Sequence, residues 1–551
     1  MATNESGTIQ TRTDFKDTPS DQYKYWHIEM QSAGKRLTKW QSQADLIQRR
    51  YLDDRAGGGL GAIPGAQASA ESGGAAAARF RLNLFHSNTK TITNMLYGKM
   101  PRIDVSRTDQ TGNDDVARVA AEVMERVLRL DLADHGAEHD QIFKSVLQDR
   151  MLAGLGSARV RYEANIEGDA LKGESAPFDY YYWGDMLWGW ARTFDALPWI
   201  GFRNYMTQDE VEERFGKDVA DGLTYEAREV AAEKDGVNDP DQNSAWKQAE
   251  VWEIWDKGKK NLVFYSKGYD KIIETKKDPL KLRGFFPCPP FFLANPTNAL
   301  YKPTPDYQLA QDLYNEIDML QTRIAIITEA VKVVGVYDSS AAGLKRMFKE
   351  GNENDMIPVD NWALFAEKGG IQGSVVWMPI KEIVESLDKL RSLRDETIGL
   401  LQQVSGMADI MRGELSNQYE GVGQTQVKAK FASTRIQALS EEFARFVTDL
   451  QQIKAEIICK HFSPETIAKM ANMQPGPDLE MLPQAIELLK DPESAAIRVD
   501  IKSETMAMED YAQLQSERSN YLNGLDGSAE ASASDAATSA GLPVGRPDPS
   551  G

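Results

Sequence analysis

Residues 421–425 read GVGQT, a glycine pattern that invites a phosphate-cradling loop. Such a loop needs Gly, four residues, then Gly-Lys-Ser/Thr, because the lysine reaches the outer phosphates and the hydroxyl holds magnesium. Here Gln424 stands where the lysine belongs and Gln418 where the first glycine belongs, and no strand precedes the stretch. The second candidate is DHGAEHD, which sets His135 and His139 four residues apart with Asp134 and Asp140 adjacent. A continuous helix would turn both imidazoles to one metal, as in His-Glu-x-x-His. Gly136 occupies the place of the catalytic glutamate and weakens the helix. The pair therefore reads as a solvated helix start with acidic residues near its N-terminus. Cys288 and Cys459 are far apart in sequence and form neither a disulfide framework nor a zinc site alone. No Ser or Cys lies in a nucleophile elbow, and Glu441–Glu442 reads as a solvated face. The expectation is a protein without catalytic residues, metal or cofactor.

Two other groupings carry chemistry of contact. DYYYWGDMLWGWARTFDALPW (179–199) is aromatic enough to stack bases, but only Arg192 is interleaved, so a strand-rich core is expected. The basic residues gather in three places: Lys345, Arg346 and Lys349; Lys381, Lys389, Arg391 and Arg394; and Lys428, Lys430 and Arg435. They read as solvated faces with surface ion pairs worth little, or as cations facing a DNA backbone.

The chain that must position these residues has 551 of them, 41% hydrophobic and 26% charged, enough for a sizeable core. No apolar run is long enough to span a membrane, and MATNESGTIQTRTD lacks the features of a secretory signal. With two cysteines, a reducing cytoplasmic setting is expected. The net charge of −20 argues against a protein that coats itself in nucleic acid, yet suits one past which DNA slides without sticking.

The pattern predicts an amphipathic helix over 20–55 and a Gly/Ala/Ser-rich link, then helices over about 80–100, 114–134 and 136–153. From 157 to 300 the period turns to strands: ARVRYEA, WIGFRNYM, AEVWEIWDK, NLVFYSKG and DKIIETK. A hairpin turn is expected near Gly258, and QDEVEERFG reads as a helix capped by Thr207. Leu313, Ile317, Leu320, Ile324, Ile327, Val331 and Val334 then alternate spacings of four and three. That is one seam on a helix of about 45 Å, ended by Gly335. A small insertion (336–379) carries strand-like VGVYD, DMIPV and SVVWMPI and a helix near AAGLKRMFKE. A helix over 380–404 puts Ile383, Leu387, Leu390, Leu393, Thr397, Leu401 and Val404 on one face. A loop and a long helix over 426–462 follow, then a strand at 497–504, a last helix near 508–525 and a disordered tail from 526. The fold class is α+β. The long helices have seams and little chain of their own to bury them, which points to neighbouring copies.

In this order, the stretches resemble the portal (head-to-tail connector) proteins of tailed double-stranded DNA bacteriophages, in the podovirus-type branch. RFRLNLFHSNTKTITNMLYGKMPRIDV resembles the N-terminal helix-and-strand entry of that family, LPWIGFRNYMTQDEVEERFG its wing segment, and AEVWEIWDK followed by GFFPCPPFFLANPT the strands that lead into its stem. TPDYQLAQDLYNEIDMLQTRIAIITEAVKVVGVYD resembles its first stem helix entering the clip. VSGMADIMRGE and FASTRIQALSEEFARFVTDLQQIKAEIICKHF resemble its channel loop and long inner helix, and IRVDIKSETMAMEDYAQ its return strand. The likeness covers roughly residues 80–525. Many relatives end the loop in Glu-Thr-Ala, where this chain has Gln424-Thr425-Gln426, so the loop's position carries over and its contacts do not.

The resemblance implies a portal fold: an N-terminal arm (1–55), a flexible link (56–78), a mixed α/β wing (79–304), and stem helices (305–335 and 380–404) flanking a clip (336–379). A channel loop (405–425), an inner wing helix with helical crown (426–525) and a disordered tail (526–551) complete it. It implies a ring, usually of twelve copies, at one capsid vertex of a virion assembled in the host cytoplasm. Double-stranded DNA would pass weakly and non-specifically, with Lys381, Lys389, Arg391, Arg394 and Lys428 facing it. The channel loop would present Arg412, Glu414, Asn417, Gln418, Tyr419, Glu420, Gln424 and Thr425. Lys345, Arg346 and Lys349 would dock terminase and then tail adaptors, with major capsid and scaffolding proteins as further partners. ATP hydrolysis would belong to terminase. The alternatives are a tail adaptor that never lines DNA and an intracellular metal-dependent hydrolase.

Overall fold

Thr18 starts the first helix, its side chain accepting from the Asp21 N–H with Pro19 just inside, where a missing N–H is harmless. Helix α1 (Pro19–Tyr51) then buries Trp26, Met30, Ala33, Leu37, Trp40, Ala44 and Ile47, at alternating spacings of four and three. The computed structural model describes residues 2–3, 9–10, 18–53, 82–107, 115–167, 170–227, 247–330, 335–337, 375–377, 380–405, 422–473, 476–490 and 497–501. After α1 come α2 (Leu84–Leu96), α3 (Asp115–Asp134) and α4 (Gly136–Leu152), close to the spans expected.

The strand-rich region forms an antiparallel sheet ordered 274–277, 261–265, 247–256, 199–206 and 186–188, with 226–227 pairing on 247–256. Its register runs from Trp199 opposite Asp256 to Met206 opposite Ala249. The hairpin turn lies at 257–260, where Asp256 Oδ1 accepts from the Gly258 and Lys259 N–H groups at 3.0 and 3.4 Å. The DKIIETK strand is shorter than expected, since only Glu274–Lys277 pairs with its neighbour. Helix α5 (Gln208–Phe215) carries a capping box: Glu210 N–H donates to Thr207 Oγ1, and Thr207 N–H to Glu210 Oε2 at 2.8 Å. Gly216, at φ 90°, separates it from α6 (Lys217–Gly222).

Helix α7 (Asp306–Ala330) carries the long seam, with Ile317, Leu320 and Ile324 buried. Val331 and Val334 lie outside the described residues, and Gly335 opens a strand (Gly335–Tyr337) that pairs antiparallel with Val375–Trp377. Helix α8 (Ile380–Ser405) follows directly. Helix α9 (Val422–His461) begins four residues earlier than the sequence suggests. Val422, Gly423, Gln424 and Thr425 therefore form a helix start, in which the single Gly423 costs only about 1 kcal/mol and does not break the helix. Helices α10 (Pro464–Ala471) and α11 (Pro477–Lys490) lead to strand Ile497–Ile501, which pairs antiparallel with Ile103–Arg107. The DMIPV strand, the AAGLKRMFKE and 508–525 helices and the 526–551 tail lie outside the described residues.

The result is a mixed α+β chain with eleven α-helices and several small antiparallel sheets among the described residues. One core cluster takes in α1, α3, α4, the large sheet and α9, from Trp26 through Trp188 and Phe264 to Phe443 and Ile501. The aromatic run at 179–199 belongs to it through Trp183, Trp188 and Trp199, while Trp190 is exposed. A second cluster joins Ile47, Tyr51, Phe85 and Leu152 to Tyr307, Ala310, Tyr314, Ile317 and Leu401, and it is where α7 and α8 meet the body. No helix among the described residues is long and apolar enough to cross a membrane.

Candidate functional site

Helices α7 and α8 pack together as an antiparallel pair, continuing the ladder in which Tyr337 faces Val375. At the body end, Leu401 shares a cluster with Tyr307 and Tyr314; further out, Arg394 Nη1 donates to Gln321 Oε1 at 3.0 Å. The sequence put seven residues of α8 on one face. Leu387, Thr397 and Leu401 are buried as expected, but Leu393 and Val404 are exposed. A single partner helix covers a stripe narrower than the apolar surface α8 presents.

That leftover surface is extensive. Leu309 and Ile326 of α7 and Val384, Leu393, Leu400 and Val404 of α8 are each more than two-fifths exposed. Leu393, Leu400 and Val404 follow one another at seven and four residues, hence on one side of the helix.

The pair is also acidic. Helix α7 holds Asp306, Asp312, Glu316, Asp318 and Glu329 against Arg323 alone, and α8 holds five carboxylates against four cations. Those four cations are four of the five residues expected to face DNA, the fifth being Lys428. Lys381, Lys389 and Arg391 are exposed and Arg394 is half-buried. Arg391 approaches Asp388 at 3.7 Å, and Arg394 pairs with Asp395 at 2.7 Å while holding Gln321. They do not share one face, since Arg391 follows Lys389 by two residues and points away from it. Lys428, Gln424 and Thr425 lie on α9, the last two as helix rather than the loop expected. Arg412, Glu414, Asn417, Gln418, Tyr419 and Glu420 lie outside the described residues, as do Lys345, Arg346 and Lys349.

The base of α7 is gripped by residues that sequence reasoning did not single out. Arg50, in the last turn of α1, donates through Nη2 to Asp318, with side chains only 1% and 7% exposed. Arg150, in the last turn of α4, donates through Nη1 to Asp306, which also accepts from Asn295 Nδ2 at 2.7 Å. Phe85 packs against Tyr307 and Tyr314, whose rings stack 5.3 Å apart. A cavity of about 430 Å³ lies beside this joint, where Val404 and Ser405 of α8 approach Ile436, Leu439 and Glu442 of α9.

The histidine pair is not the solvated helix start expected. His135 is the N-cap of α4 and half-exposed, but His139 is buried, 4.7 Å from the Phe178 ring. Burial, reinforced by the Lys454 ammonium, lowers its pKa to about 4, keeping the imidazole neutral. Lys454, buried on α9, pairs with Asp131 of α3, and burial lowers the lysine's own pKa. The cluster thus ties α9 to the body. Among the described residues, no three His, Cys, Asp or Glu are placed to hold a metal ion.

Cys288 and Cys459, distant in sequence, line one cavity of about 340 Å³ with Phe194, Phe286, Ile453 and Leu489. Burial pushes both thiols well above their usual pKa, so neither is a ready nucleophile.

No protein-family model matches the chain, and a search of curated proteins finds no match either.

Proposed function

We propose that this chain is one copy of a ring-shaped portal of the phage type, a conduit for double-stranded DNA at a capsid vertex. The observation that carries the reading is the uncovered apolar surface of the α7–α8 pair. Six large apolar side chains that are 43–62% exposed forgo roughly half of the 1.5–3 kcal/mol that full burial of each is worth. A second copy of the same pair, set side by side around an axis, would cover them. A heterologous contact of this kind gives a closed ring when its rotation closes and an open filament when it does not, and a conduit requires the ring.

The acidic balance supports a conduit over a grip. Arg50 and Arg150 neutralise two of the five α7 carboxylates, yet Asp312, Glu316 and Glu329 still outnumber Arg323. With the cations of α8 dispersed, a duplex in the bore would meet few fixed contacts, and weak contact lets it slide. The strand pair 335–337/375–377 marks the outer end of the helix pair, where a clip would present residues 338–374 to terminase and tail adaptors. Channel-loop residues 406–421 would leave the inner end at Ser405 and return at Val422.

Native mass spectrometry of the purified full-length chain tests the reading: it expects one closed assembly of many copies. A monomer across the whole accessible concentration range would sink it.

A further inference from the structure

We propose that Arg50 and Arg150 are positioning residues that fix the direction of α7, and through it the number of copies that close the ring. The inference rests on the ring reading above. A rigid rod needs two directional anchors to define its axis, and α7 has two. Arg150 of α4 holds Asp306 at its first residue, and Arg50 of α1 holds Asp318 twelve residues on. At 1.5 Å per residue the anchors are about 18 Å apart. The apolar joint of Ile47, Phe85, Tyr307 and Tyr314 adds cohesion and a preferred packing, but packing of side chains fixes a helix angle only to within about 15–20°, far more loosely than two anchored ends do.

The magnitudes show why the angle matters. A shift of 1 Å at one end of an 18 Å lever turns the helix by about 3°. The turns between neighbours in closed rings of twelve and thirteen copies differ by only about 2°. Ångström play at either anchor is therefore enough to change which ring closes.

The Arg50–Asp318 pair is also poorly explained as a stabiliser. Its Nε and Nη1 are buried and find no hydrogen-bond acceptor among the described residues; Arg150 Nε is in the same state. A buried ion pair so incompletely satisfied is commonly matched or exceeded in stability by apolar side chains of similar volume. What those side chains lose is direction.

The test is R50M/D318L in the full-length chain, with copy number counted by native mass spectrometry and unfolding followed in parallel. The expected result is a thermal midpoint no lower than wild type with rings of mixed copy number, the dominant class falling by about twofold or more. R50K, which keeps a cation for the single contact that Nη2 makes, should restore one copy number. Unchanged copy number in R50M/D318L overturns the proposal and leaves the pair as internal glue. Should R50M/D318L fail to fold, D306N decides, because Asp306 is two-fifths exposed at the end of the helix. An unchanged copy number there overturns the proposal equally. A wild-type chain that forms no ring overturns the ring reading itself, and is recognised before any variant is made.

Discussion

Arg394 of α8 donates through Nη1 to Oε1 of Gln321 on α7 at 3.0 Å, a cross-helix bond that fixes the register of two helices 73 residues apart in sequence. The same guanidinium pairs with Asp395 at 2.7 Å, so both arms of its fork are in use. A cation first noticed as a candidate for DNA contact is thus engaged inside its own chain. Arg394→Ala should cost about 0.5–1.5 kcal/mol and speed hydrogen exchange of amides between 315 and 327. Unaltered protection there would mean that the bond does not hold the pair.

Leu393 and Leu400 lie on the exposed side of α8, outside the cluster that joins the pair to the body. Leu393→Asp with Leu400→Asp should leave unfolding of the body within about 0.5 kcal/mol of wild type while abolishing assembly. Sedimentation velocity reads both species. Assembly at wild-type strength would remove this face from the interface.

Asp149 offers a pH-dependent prediction. It is buried at the end of α4, accepting from Tyr180 OH at 2.5 Å. Burial raises its pKa to about 7 against the ordinary 3.8, although hydrogen bonds from Tyr180 and the Trp183 backbone pull it down. The folded state therefore holds this proton more tightly than the unfolded chain. Its contribution is fully present below about pH 4 and is lost as pH rises through 7. At about 1.4 kcal/mol per unit, the loss is on the order of a few kcal/mol. Asp149→Asn should flatten this part of the stability–pH curve and raise the thermal midpoint at pH 8. Parallel curves for wild type and variant between pH 5 and 8 would contradict the assignment.

Deletion of 411–421 stops short of α9, whose helix begins at Val422. Rings should form normally in this variant, while particles carrying it package or retain less DNA. Wild-type genome content in such particles would remove the segment from the channel.

Much of the helical frame was legible in the sequence because it rests on local periodicity. Ile317, Leu320 and Ile324 announce α7, and Thr207 with Glu210 announces α5 through its cap. Leu393 and Val404 show the limit: they belong to an apolar side of α8, but the sequence does not tell which part of it the chain's own partner covers. The joint was not legible at all. Arg50 and Asp318 are 268 residues apart and each reads locally as a surface charge. Likewise His139 reads as part of a solvated helix start until α3, α4 and α9 come together around Asp131 and bring Lys454 beside it. Cysteines 288 and 459 share a cavity that only the packing of α9 on the 282–290 segment creates.

We propose that copies of this chain close into a ring through the α7–α8 pair. Two-dimensional class averages of the purified full-length protein by electron microscopy test it most directly. The expected result is end views of closed rings with a central opening, which vanish in Leu393→Asp with Leu400→Asp. Monomers at every concentration, with no ring in any class, would contradict it.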